Sequence, residues 1–190
     1  MHATRHRRSI RLRGYDCTKP GAYFLTICTA DRAPLFGEVV DGIVHHTSLG
    51  GVASAFWTDI GIHFSFVTVD AFIVMPDHVH GILVFNGDGR GVRSNAPTVA
   101  RHGAIPPNGV TIFSAISPRR GSLAVVVQSD KGAVTSHARR DGCEGPVWQR
   151  GNHEHIIRDE QARARIRRYI VSKPARWREA RVRSPRGTGG

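Results

Sequence analysis

Acidic residues are scarce in this chain of 190 residues: 15 Asp+Glu stand against 27 Lys+Arg, a formal net charge of +12. That imbalance favours a polyanion as ligand, either nucleic acid or a membrane surface. Lysine is scarcer still, with only Lys19, Lys131 and Lys173 among the 27 cations. The three cysteines (Cys17, Cys28, Cys143) are odd in number and widely spaced. They suggest neither a disulfide framework nor a zinc ribbon, and a reducing cytoplasm is the default compartment. No run approaches the roughly 18 apolar residues of a membrane span. The opening MHATRHRRSIRLRG has cations but no apolar stretch behind them, so it does not read as a secretory signal. Tyrosine is limited to Tyr15, Tyr23 and Tyr169. No internal repeat is evident. What the chain does have is a core: 40% hydrophobic content argues against wholesale disorder, and the length suits one domain.

The first 20 residues are a basic lead ending in Lys19-Pro20-Gly21, a turn signal. Residues 22–31, AYFLTICTAD, alternate as a strand with one face in the core. In residues 35–46, Asp41-Gly42 between short apolar runs predicts a hairpin. Leu49, Val52, Phe56 and Ile60 predict a helix over 48–64, capped by Ser48 or Thr47. Residues 66–78 and 78–86 read as a tight antiparallel pair about Pro76-Asp77. Residues 87–120 are rich in Gly, Pro, Ser and Asn and read as a flexible loop or insertion. The NGDGRG run inside it lacks the GK[ST] ending of a phosphate loop. A helical pattern resumes over 122–140, with Gly142 as its C′ glycine. PVWQR (146–150) is short and extended, and 153–173 reads as one or two helices stopped by Pro174. The order βββ-α-ββ, then α-β-α, implies an α+β fold with helices on one face of an antiparallel sheet.

Three features carry chemistry. His78 and His80, in VMPDHVHGILV, share one face of a strand, a spacing suited to two ligands of one divalent metal. With 11 histidines in the chain, a chance pair on a solvated face is as good a reading. His153-Glu154-His155 follows Trp148-Gln149-Arg150. On a helix, His155 could face the same metal, or the segment is simply a helix start capped by Asn152. Finally, arginines crowd both ends of the chain and 163–168. Their planar forks suit phosphate, although a charge run is most often a solvated face.

GAYFLTICTADRAPLFGEVVDG, DAFIVMPDHVHGILV, PVWQRGNHEHIIRDE and RRYIVSKPARW, in that order, resemble successive landmarks of the REP-associated tyrosine transposases. These are single-tyrosine HUH enzymes, in which two histidines flank a hydrophobic residue. The resemblance spans about residues 7–178. It implies a ferredoxin-like or RRM-like palm over 21–178, with 1–20 and 179–190 as basic tails. It implies Mg²⁺ or Mn²⁺ held by His78, His80 and, from the nucleophile-bearing helix, His155. It implies single-stranded or hairpin DNA as partner, held by Arg150, Arg158, Arg163, Arg167 and Arg168. The expected setting is a bacterial cytoplasm at the nucleoid, as monomer or homodimer, with no membrane. The implied reaction is strand cleavage and rejoining through a 5′-phosphotyrosine.

The chain departs from the family pattern. In that pattern the nucleophile falls at Asn152, and an amide cannot form the phosphoester. Tyr169 then reads as packing, Asp130 replaces an apolar residue at a core position, and Lys173-Pro174 replaces Asn-Pro. Nicking by this copy is therefore expected to be weak or absent. A DNA-binding module that no longer cuts, and a hydrolase that activates water, are the alternatives.

Overall fold

A computed structural model of the chain describes residues 20–87 and 121–177. The basic tails and nearly all of the 87–120 stretch, with the expectations attached to them, lie outside the described residues. Four strands carry the apolar alternation: β1 (Gly21–Cys28), and, numbered in chain order, β4 (Val67–Met75), β5 (His78–Phe85) and β6 (His153–Ile157). They form one sheet in the order β4-β5-β1-β6, antiparallel throughout. Helix α1 (Ser48–His63) joins β1 to β4, and α2 (Leu123–Arg140) lies between β5 and β6. This β-α-β-β-α-β path is the expected ferredoxin-like α+β palm. The hairpin β2 (Gly37–Val40) and β3 (Ile43–His46) is inserted before α1, and α3 (Glu160–Ser172) follows β6.

The local signals explain the joints. Asp41 and Gly42 both take positive φ (49° and 79°), the tight turn that matches strand twist. The Thr47 side chain accepts from the Gly50 N–H at 3.1 Å and caps α1. Gly142, at φ 83°, follows the end of α2 as expected.

Two expectations need correction. The helices do not all lie on one face. Tyr23, Leu25, Ile27, Val79, Leu83 and Phe85 form one core with α1 and α2, centred on Trp57, Val126 and Val134. The alternate residues Ala22, Ile82 and Ile157 form a second core with Ile170 of α3. The central strands are apolar on both faces, so both faces need cover. The second correction concerns 153–157, which form a strand and not a helix start. His153-Glu154-His155-Ile156-Ile157 alternates, and β1 would otherwise leave Thr26, Phe24 and Ala22 as an unpaired edge. The helix begins only where Asp159 accepts from the Ala162 N–H at 2.6 Å. PVWQR contributes a single bridge, Trp148 to Thr29.

Two details fix the strands that carry the site. A bulge at Asp70 interrupts the β4–β5 register, so Val69 packs in the first core and Ala71 in the second. Gly81 lies under the Trp57 indole, and a Cβ there would come within 2.0 Å of the ring. Among the described residues, no helix is long and apolar enough to cross a membrane.

Candidate functional site

The His-Val-His motif lies on β5 with Val79 in the first core and both imidazoles on the α3 side. The two rings are buried, 2% and 5% exposed, with centroids 4.4 Å apart. The reading as chance histidines on a solvated face therefore fails. Burial pushes the His78 pKa down, against the opposing pull of Asp77. Burial, then the neighbouring His78, pushes His80 down to about 3. Both rings are neutral near pH 7, each with one N–H and one lone pair.

The partners of each ring orient it. His78 Nδ1–H donates to Asp77 Oδ1 at 2.5 Å. Asp77 also meets Arg32 Nε at 3.1 Å. Arg32 and Asp31 hold left-handed backbone angles (φ 58° and 50°), a costly conformation for residues other than glycine. The Thr29 N–H and hydroxyl both bind the Asp77 carbonyl at 3.0 Å, which anchors the β4–β5 turn. His80 is engaged at both nitrogens: Nδ1 to Thr26 Oγ1 at 2.9 Å, and Nε2 to Tyr169 Oη at 3.2 Å. Lys173 Nζ donates to the same Tyr169 oxygen at 2.9 Å. An ammonium can only donate, so Tyr169 Oη accepts from Lys173, and the geometry accommodates the His80 tautomer with Nδ1–H towards Thr26 and the Nε2 lone pair towards the phenol.

Tyr169, Lys173 and Trp177 recur every four residues on α3 and its continuation, and this stripe overlies the histidines. Trp177 packs on His78 with ring centroids 5.8 Å apart. Tyr169 meets His80 edge-on at 5.3 Å and is 38% exposed. Tyr169 packs against Phe24 and His80, as expected, and its hydroxyl also faces His80 Nε2. The four-residue spacing of Tyr169, Lys173 and Trp177 is the sequence signal for this stripe, whereas the Trp-Gln-Arg landmark points to position 152. Arg32 and Thr26 left no sequence signal, because only the sheet register and the turn bring them to the histidines.

The other expected residues lie elsewhere. His155 is exposed on β6, opposite Phe24. The Phe24 ring stacks on His80 at 5.4 Å and stands between them. In register, His153 and not His155 shares the His80–Thr26 row. Asn152 precedes β6 and its side-chain N–H donates to Glu154 at 2.8 Å. Arg163 and Arg167 point to Asp70 instead of solvent, through contacts of 2.8–3.0 Å, and Arg167 also reaches Glu160 at 3.0 Å. Arg150, Arg158 and Arg168 are exposed.

Among the described residues, no group of three His, Cys, Asp or Glu converges as a metal site. His78, hydrogen-bonded to a carboxylate, has the orientation of a ligand. His80 does not: its Nε2 is taken by a hydroxyl that is itself fixed by an ammonium. The residues present do not fit the implied divalent ion.

Fold and site together define a ferredoxin-like palm with a buried His-x-His strand under a helix-borne tyrosine. The chain is 34% identical over 174 residues to an uncharacterized protein of Haemophilus influenzae, covering 92% of this chain and 91% of that one. It belongs to the family of that protein. Its fold is that of the REP-associated tyrosine transposases: one such structure, solved bound to a REP hairpin, superposes with a TM-score of 0.52 at 16% identity. The match covers 93% of this chain and 74% of that one. No family model matches the chain.

Proposed function

We propose that the protein is a transposase-type DNA strand-transferase in which Tyr169, and not position 152, supplies the nucleophile. The observation that carries this is the Tyr169 hydroxyl at 3.2 Å from Nε2 of the buried His80 imidazole. That is the nucleophile–base pair of covalent catalysis, and Thr26 orients the base from behind. In the reaction, the Tyr169 oxygen bonds to phosphorus as its proton passes to His80. The phosphorus–O3′ bond breaks, and the O3′ atom takes up a proton to leave a free 3′-OH. The DNA 5′ end stays on Tyr169 as a phosphodiester that a later 3′-OH can attack. His80 Nε2, 3.2 Å from the hydroxyl, is placed to take the phenolic proton and to return it to O3′.

DNA as the substrate is supported by the net charge of +12, by exposed Arg150, Arg158 and Arg168, and by the shared fold with a transposase solved on a hairpin. The substrate class we assign is hairpin DNA with single-stranded flanks. The test is a denaturing gel of the protein incubated with such DNA. A covalent adduct is expected with the native chain and with Asn152→Ala, and none with Tyr169→Phe. An adduct that survives Tyr169→Phe would overturn the assignment. Tight hairpin binding with no adduct from the native chain would leave a DNA-binding module.

A further inference from the structure

We propose that the Lys173 ammonium takes the place of the divalent cation at the His78/His80 site, so that the protein holds the reacting DNA phosphate without a metal. The inference rests on the strand-transfer reading above and specifies how that site meets its substrate.

Three observations carry it. First, Lys173 is fixed at the reacting atom, not merely nearby. It donates to Tyr169 Oη at 2.9 Å and lies over the tyrosine ring, 5.0 Å from its centroid. A phosphate bonded to that oxygen comes within reach of the remaining ammonium protons. Second, a metal on His80 Nε2 would have to displace the Tyr169 hydroxyl and then share its surroundings with a fixed positive charge. Arg32 adds a second cation at the rim, and the neighbouring carboxylate, Asp77, is already occupied by Arg32 and His78. Third, no third ligand converges on the pair among the described residues, and Phe24 stands between His80 and the exposed His155. The site thus has the charge of an anion cradle: one ammonium and one guanidinium stand beside the two imidazoles, and its single carboxylate is already paired with Arg32 and His78.

A positive group aimed at developing charge does the electrostatic work of transition-state stabilisation without any coordination chemistry. Lys173 also stabilises the phenolate as it forms.

The deciding experiment is a Mn²⁺ titration of the full chain followed by electron paramagnetic resonance. The expected result is no stoichiometric site in the native protein. Lys173→Asn and Lys173→Gln should each tighten Mn²⁺ binding about tenfold or more by removing the repelling charge, and adding His78→Ala should abolish that gain. A stoichiometric native site lost in His80→Ala would overturn the proposal. Adduct formation gives a second readout. With EDTA present the native chain should form adduct as fast as with Mn²⁺, and Lys173→Met should slow it about 10²-fold. Adduct that requires Mn²⁺ would also overturn the proposal. Absence of adduct under every condition would count against strand transfer, whereas the titration by itself decides the role of Lys173.

Discussion

A single carboxyl, Asp130, shows how one residue can oppose its own fold. It lies on α2 near Trp57 of the first core, 6% exposed, and neither of its oxygens has a hydrogen-bond partner. The nearby Trp57 indole N–H, itself without a hydrogen-bond partner, favours the ionised form. Burial dominates and pushes the Asp130 pKa up to about 7 from 3.8. The folded state therefore holds a proton that the unfolded chain has lost. The resulting penalty is absent below pH 3.8, grows as pH rises and is complete above about 7. Asp130→Asn should stabilise the protein by on the order of 2–4 kcal/mol at pH 8 and little at pH 4. Urea denaturation at the two pH values checks this. An equal gain at both would show that the carboxyl is not the cause. The family pattern marks Asp130 as a core site in the sequence, but its lack of a partner is a tertiary fact.

At the scale of elements, α3 decides whether Tyr169 reaches His80, and Asp70 holds α3. The bulge in β4 presents the Asp70 carboxylate to the helix, where Arg163 and Arg167 bind it. Burial raises the Asp70 pKa, but the hydrogen bonds from Arg167 and then Arg163 outweigh it, and the net shift is downward from 3.8. A depressed carboxyl contributes stability above its unfolded pKa and loses it as pH falls through the folded value. Asp70→Asn should lower the melting temperature at pH 7, and the difference from native should shrink below pH 3.8. Adduct formation should fall with it, since the helix carrying the nucleophile loses its tether. Native adduct yield in a destabilised Asp70→Asn protein would show that α3 is positioned by Ile166 and Ile170 alone. The arginines of this helix thus divide by partner. Arg168→Ala should weaken hairpin binding, whereas Arg163→Ala should act mainly on stability. Fluorescence anisotropy and thermal melts on the same samples separate the two.

For the whole molecule the governing quantity is charge. A protein that neutralises several phosphates releases their counterions, so affinity falls steeply with salt. Between 50 mM and 200 mM salt, hairpin affinity should drop by about 10³-fold if roughly six phosphates are contacted. A flat salt response would place recognition elsewhere than in the arginines.

Much of this architecture is legible in the chain because it is local. The Asp41-Gly42 turn, the Thr47 cap, the antiparallel pair about Pro76 and the two long helices follow from neighbours in sequence. So does the His78/His80 pair, since alternation along a strand puts i and i+2 on one face. Residues 153–157 misled because a short run of five serves a strand or a helix start equally well. Only the open edge of β1 settles it. Likewise the family pattern points to position 152 in one dimension, and nothing local links Tyr169 to the histidine pair. The sequence determined the charge, the histidine pair and most of the elements. The tertiary structure decided which tyrosine meets the pair and that a lysine accompanies it. Those choices depend on α3 crossing the sheet, a placement fixed by Ile82, Ile157, Ile170 and Asp70, residues far apart in the chain.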